Sequence, residues 1–217
     1  MSVWSVISLA KALRGSDLRP SAQVVYADGF FMPAADSGKF LPLQSRLSYL
    51  ADFAVYPAGI ACAAAYLLVF GPHRERLEIA GAAIAGLLGW SLLEYALHRF
   101  LLHGPEPFRR WHLAHHRQPR ALIGTPTIVS VLLLLGLVFL PACLLGGSWV
   151  ATGLALGVAT GYLGYAMTHH ALHHWDKDMP WLRTRRHLHW LHHSRPGCEY
   201  GVSTSIWDRV FLSRSDS

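Results

Sequence analysis

GYLGYAMTHHALHHW, residues 161–175, opens as a glycine-spaced apolar run and closes with four histidines in six positions. The first half suits hydrocarbon and the second half a polar boundary. The whole chain of 217 residues is 52% hydrophobic and 15% charged, with a mean hydropathy of +0.27, too apolar for an ordinary soluble domain. Four apolar segments stand out, at 52–70, 79–97, 127–146 and 149–168, each covering about 30 Å at about 1.5 Å per residue. The expectation is an all-α integral membrane protein with four transmembrane helices in two hairpins. Residues 51–217 form the membrane-embedded domain and residues 1–50 an N-terminal cytoplasmic or interfacial segment.

Seventeen of the nineteen Lys and Arg residues fall in 1–50, 98–126 and 175–217, which this topology puts on one side. The positive-inside rule makes that side the cytoplasm, with both termini in it. A net charge of +6 scattered between apolar runs forms no nucleic-acid module, so nucleic acid is not an expected partner. Residues 1–50 lack the shape of a cleavable signal. Val3, Trp4, Ile7, Ala10 and Leu13 recur at helical spacing, as in a short helix lying in the interface, and a loosely ordered tail fits equally well. Cys62, Cys143 and Cys198 have no pairable spacing and suggest neither a disulfide framework nor a thiolate metal site. The Ala- and Arg-rich composition leans towards a bacterial inner membrane.

Of fourteen histidines, only His73 falls in an outer loop; the other thirteen share the cytoplasmic side. They form four clusters: HRFLLH (98–103), WHLAHH (111–116), THHALHH (168–174) and HLHWLHH (187–193). In a helix, His112, His115 and His116 share a face, as do His189, His192 and His193, and as do His169 and His173. His98 and His103 are five apart, so either the helix loosens at its end or the two serve different ions. A mononuclear site takes three or four protein ligands, so ten well-spaced imidazoles suit two neighbouring metal ions. Imidazole accepts iron, zinc or copper alike. His170, His174 and His187 break the facial pattern and read as spacers, hydrogen-bonding groups behind the ligands, or substrate-facing groups. Glu94, one turn before His98, is a candidate to orient a ligand imidazole, and Asp176 and Asp178 could do the same. Tyr162, Tyr165 and Thr168 approach the third cluster at one-turn spacing, where helix packing is the plainer reading and a substrate pocket the sharper one. Trp190, Trp207 and Asp208 read as structural anchors.

These four boxes, followed by EYGVSTSIWDRVF (199–211), resemble the fatty acid hydroxylase and sterol desaturase superfamily of membrane oxygenases. Within it, the order of boxes is most similar to fatty acid 2-hydroxylases, over about residues 50–212. The resemblance implies a four-helix base beneath a cytoplasmic helical cap that holds a histidine-rich di-metal centre. It implies as ligands His98, His103, His112, His115, His116, His169, His173, His189, His192 and His193. The implied ions are two irons, with zinc as an alternative occupant of isolated protein. The implied activity is O2-dependent hydroxylation of a lipid acyl chain at C2. The implied partners are a lipid substrate from the bilayer and, since residues 1–50 carry no haem-binding pattern, a separate electron-transfer protein, cytochrome b5-like or a ferredoxin with its reductase. Two places depart from the family pattern: RALIGTPTI (120–128) stands where a Pro-Pro pair is usual, and Phe211, Leu212 and Ser213 stand in place of Phe-Gly-Thr.

The same boxes would serve a sterol, carotenoid or other lipid hydroxylase or desaturase, which differs in pocket shape and not in ligation. A non-enzymatic metal-binding or transport protein is the more distant alternative. Transporters keep ion sites near the bilayer midplane, whereas these histidines lie beyond the ends of the spans.

Overall fold

The computed structural model describes residues 44–195 and 197–215. The interfacial helix expected within residues 3–13 lies outside them. The described residues contain helices and no β-strand element. Helix α1 (Arg46–Leu50) starts at Ser45, whose hydroxyl accepts from the Ser48 amide at 3.1 Å, and Ala51 alone separates it from α2 (Asp52–Phe70). A 3-10 turn at His73–Glu75 leads into α3 (Arg76–Ala96), which runs on as a π-helical segment, Leu97–Leu102. Helix α4 (Phe108–Arg117) follows, then α5 (Thr127–Leu133), a second π segment (Leu134–Phe139) and the long α6 (Leu140–His174). Helices α7 (Pro180–Ser194) and α8 (Ile206–Val210) complete the chain.

Among the described residues, three helical runs are long and apolar enough to cross a membrane: Arg46–Phe70, His73–Leu102 and Thr127–His174. Leu68, Leu77 and Leu145, 78%, 89% and 90% exposed, turn outward, the inverse of a soluble helix and the arrangement a hydrocarbon solvent favours. Where the sequence suggests two spans joined around Gly147, the structure has one run of 48 residues with a single non-helical residue. Gly147 takes φ 80° and ψ 168°, a conformation open to glycine and closed to side chains with a Cβ, so the break needs no loop.

Helix α6 is the element on which both α2 and α3 pack. Gly153, Gly157 and Gly161 lie one turn apart on its α3 side, against Ile79, Ala83 and Trp90 respectively. A Cβ on Gly157 would collide with the Ala83 carbonyl. In a bilayer, where burial of apolar surface does not drive helices together, such stripes of small residues let backbones approach closely and gain dispersion energy.

The segment after α7 returns to α3. Asp208 is wholly buried and accepts from the amides of Tyr200 (2.8 Å) and Gly201 (2.9 Å) and from the Ser213 hydroxyl (2.8 Å). Trp207 Nε1 donates to the Ser91 hydroxyl of α3 at 3.1 Å. Tyr95 of α3 stacks on Phe211, with centroids 5.4 Å apart, and its hydroxyl meets that of Ser213 at 2.8 Å.

Candidate metal centre

Four structural pieces bring the imidazoles together: the π segment and the residue after it, α4, the end of α6, and α7. In the π segment the His103 amide donates to the His98 carbonyl, five residues back, at 3.2 Å. That wider turn aligns residues five apart, which an α-helix does not, and the two rings lie 5.2 Å apart. Of the two alternatives open for this pair, the loosened helix is the one observed.

Two groups of ligand atoms result. His98, His103, His112, His116 and His192 form one, and His115, His169, His173 and His189 the other, with the nitrogens of each group all within 4.8 Å of one another. The HxxHH boxes are therefore shared. From α4, His112 and His116 enter the first group and His115 the second; from α7, His192 enters the first and His189 the second. His193 stands between them: its Nε2 is 3.1 Å from that of His189, and its ring stacks on His116 at 4.2 Å and 9°.

Within the first group, Nε2 atoms approach at 2.9 Å (His98 to His112), 3.0 Å (His112 to His116) and 3.1 Å (His103 to His192). Within the second, the separations are 3.1 Å (His115 to His169), 3.2 Å (His169 to His173) and 2.8 Å (His173 to His189). Two imidazoles at right angles on one ion, with metal–nitrogen bonds of about 2.1 Å, place their nitrogens about 3.0 Å apart. A single proton cannot satisfy a nitrogen with two such neighbours, as at His112, His169 and His173; a divalent cation at the common focus can. The donor set therefore fits a transition-metal ion in each group.

Backbone carbonyls orient two of the rings. His98 Nδ1 donates to the Tyr200 carbonyl at 2.5 Å, and His192 Nδ1 to that of Cys198 at 2.8 Å, leaving each Nε2 lone pair aimed at the first group. Burial pushes the imidazoles of His103, His193 and His115 down, to about 4, about 3 and about 2, and neighbouring imidazoles add to the effect. Burial also lowers His112, His116, His189 and His192. Rings held neutral are rings able to ligate.

The remaining candidates fall elsewhere. The Glu94 carboxylate, 3% exposed, accepts from the amides of Val202 (2.8 Å) and Ser203 (2.9 Å) and from the Ser203 hydroxyl, so its hydrogen bonds hold the segment behind the His98 ring. His170 meets the Tyr49 hydroxyl at 3.1 Å, and His174 stacks on His170 at 4.7 Å; neither belongs to either group. His187 is exposed beside Trp190, His73 is exposed in the 3-10 turn, and Asp176 is exposed. Asp178 pairs with Arg183 at 2.8 Å. Tyr165 lies parallel to the His169 ring at 5.8 Å, the Tyr162 hydroxyl donates to Asp52 at 2.6 Å, and Thr168 is buried. Sequence reasoning passed over Asp52 and the carbonyls of Cys198 and Tyr200. Backbone groups leave no signature in residue type, while Asp52 offered one, as a carboxylate at the mouth of an apolar run.

Residues 83–213, more than half of the chain, match the family model described as fatty acid hydroxylase. A dihydroceramide fatty acyl 2-hydroxylase of Arabidopsis thaliana is 35% identical over 143 residues, which cover 58% of this chain and 57% of that protein. The fatty acid 2-hydroxylase of Homo sapiens is 31% identical over 147 residues, 60% of this chain and 38% of that one. The chain thus spans from under two fifths to under two thirds of the length of these curated relatives. The solved structure of full-length scs7p, in which only the hydroxylase domain is visible, aligns with a TM-score of 0.61 and 24% identity, covering 78% of this chain and 67% of that one, a likeness of fold. Four histidine boxes gathered on helical ends, and a family match that spans all of them, make this chain a member of the fatty acid hydroxylase family.

Proposed function

We propose that the protein is an O2-dependent membrane hydroxylase that adds a hydroxyl group at C2 of a lipid acyl chain. The observation that carries this reading is the pair of adjacent imidazole groups whose Nε2 atoms converge at metal-ligand spacing. The ligands are ten of the thirteen histidines of the four boxes, His193 included and His170, His174 and His187 left out, and the metals are two irons. When bound, the irons supply the dioxygen chemistry that an unactivated C–H bond requires, since no acid–base group attacks such a bond. Burial in this chain holds the rings neutral and keeps the centre partly shielded from water, and the backbone carbonyls of Tyr200 and Cys198 aim the rings of His98 and His192. The C2 position is supported by the relatives, which are named as 2-hydroxylases.

In this reading residues 51–217 are the membrane domain, and the run Thr127–His174 crosses twice, reversing at Gly147, so that there are four spans. Support comes from its length, about 72 Å at about 1.5 Å per residue against a bilayer core of about 30 Å. The Lys and Arg asymmetry supports a cap and termini in the cytoplasm, and the Ala- and Arg-rich composition supports a bacterial inner membrane. Electrons come from an external donor, cytochrome b5-like or a ferredoxin with its reductase.

The test is expression of the wild type and His192→Ala in a bacterial host with a co-expressed donor, followed by hydrolysis of membrane lipids and mass spectrometry of the fatty acids. A 2-hydroxy acid made only by the wild type is the expected result. New double bonds without added oxygen would replace hydroxylation by desaturation, and unchanged lipids would count against acyl chains as substrate.

A further inference from the structure

The segment that returns to α3 after the last histidine box turns an apolar face outward. Ile206 and Val210, one turn apart on α8, are more than half exposed, and Leu212 just beyond the helix is 90% exposed. Leu212 also takes φ 53°, in the left-handed region where a Cβ crowds the following carbonyl and glycine is favoured. A leucine that carries this strain and stands almost wholly outside the protein is doubly unfavourable in water. Hydrocarbon around it reverses the balance, because burying a leucine side chain there gains at least as much as the left-handed backbone costs.

The seat of α8 on α3 identifies its surroundings. Ile84, Leu88, Ser91, Tyr95 and Arg99 succeed one another at steps of three and four, so they form one stripe along that helix. Ile84 and Leu88 are more than half exposed, on a run long and apolar enough to cross a membrane. Further along, the stripe is covered: Trp207 bonds to Ser91, Phe211 stacks on Tyr95, and the Phe211 carbonyl accepts from Arg99 Nη1 at 3.3 Å. Helix α8 thus lies over the continuation of a lipid-facing stripe, and its outward face takes the stripe's place. Ser91 precedes Leu97, the end of the apolar segment 79–97, by about 9 Å at about 1.5 Å per residue, so α8 meets α3 within the apolar part. The exposed charged side chains of residues 206–214 are Arg209 and Arg214, both cations with stems long enough to reach a phosphate layer.

We propose that α8 and Leu212 are seated in the bilayer, with Ile206, Val210 and Leu212 among the acyl chains of the leaflet nearest the metal centre and Arg209 and Arg214 at its headgroup phosphates. The inference requires that α3 cross the bilayer and is independent of the reaction. It ties the lipid surface to the first imidazole group, since α8 carries Asp208, which holds the Tyr200 amide, and the Tyr200 carbonyl accepts from His98.

The test attaches a nitroxide to Leu212→Cys or Val210→Cys in the full chain, with Leu88→Cys as the lipid-facing reference and Asp176→Cys, at an exposed polar position, as the aqueous one. Cys62 and Cys143 are replaced by Ser, and the buried Cys198 is left in place. In phospholipid nanodiscs, collisions are measured with oxygen, which concentrates in hydrocarbon, and with a water-soluble nickel chelate. The labels at 212 and 210 should resemble the one at 88, with an oxygen-to-nickel collision ratio severalfold above that at 176. A ratio like that at 176 would put α8 in water, and labels reached by neither reagent would put a second copy of the chain over this face; either result overturns the proposal. Helical circular dichroism checks the fold of each labelled protein, and two positions keep the test decisive if one replacement disturbs it. A second measurement uses Leu212→Gly, which relieves the left-handed strain and removes the lipid contact. Its thermal midpoint in nanodiscs should lie at or below that of the wild type; a raised midpoint, the result for a leucine in water, would overturn the proposal.

Discussion

Glu94 and Val202, 108 residues apart in the chain, are joined by a 2.8 Å hydrogen bond from the Val202 amide to the Glu94 carboxylate. The same oxygen accepts from the Ser203 amide at 2.9 Å. A carboxylate on an apolar helix thereby grips the backbone of the segment that carries the Tyr200 carbonyl, the group that orients His98. Replacing Glu94 with Ala leaves two amides without an acceptor, at a cost of about 1–3 kcal/mol each. Glu94→Ala should therefore lower the thermal midpoint in detergent strongly. Glu94→Gln, whose carbonyl oxygen can still accept both amides, should lie closer to the wild type.

Asp208 acts on the same segment from the other side, through the amides of Tyr200 and Gly201. Asp208→Ala should weaken metal retention, because the carbonyls of Cys198 and Tyr200 lose the anchor that aims them at His192 and His98. Loss of such orienting contacts typically costs about 10–100-fold in metal affinity. Metal titration against a competing chelator measures the effect, and retention equal to wild type would count against this role for the segment.

The metal-free protein should lose stability steadily as acid is added. His103, His193 and His115 are pushed down to about 4, about 3 and about 2, whereas an unfolded chain protonates its histidines near the ordinary value of about 6.5. Between those limits the unfolded state binds more protons than the folded state, so unfolding is favoured as pH falls below about 6.5. Thermal melts of chelator-stripped protein across this range check the slope, and a flat profile would contradict it. Metal-loaded protein should melt higher at neutral pH and lose this advantage in acid, where protons compete for the ligand nitrogens.

The α3–α6 contact should be intolerant at Gly157 and tolerant at Gly164. A Cβ at Gly157 meets the Ala83 carbonyl, while one at Gly164 meets nothing within 4 Å. Gly157→Leu should destabilise by about 1–3 kcal/mol or more, the scale of overpacking. Gly164→Ala should be neutral or slightly stabilising, since Ala is the better helix former. Denaturation of both variants in detergent provides the comparison.

Much of the centre was legible in residue spacing, for a physical reason. Histidines three and four apart on one helix must share a face, so WHLAHH and HLHWLHH announced clusters before any packing was known. The pair His98 and His103 resisted this logic because its alignment depends on a π turn, and a π turn arises from how a helix end is loaded by its neighbours. The partition of the boxes was equally hidden: that His115 parts from His112 and His116 follows from where α6 and α7 stand relative to α4. Glu94 illustrates a partial reading. Its chemistry marked it as functional, but its partner, a backbone segment more than one hundred residues away, could be identified only in the folded chain.

Composition and periodicity alone determined that the chain is helical, apolar enough to enter a membrane, and equipped with imidazoles at the polar ends of its helices, because these depend on residue type and on contacts within a turn or two. Tertiary structure alone decided which imidazoles converge, which carbonyls aim them, and that the Asp52 carboxylate of α2 meets the Tyr162 hydroxyl of α6. Those outcomes depend on the relative placement of helices that are distant in sequence, and that placement is set by close backbone packing at Gly153, Gly157 and Gly161 and by the buried hydrogen bonds of Glu94 and Asp208.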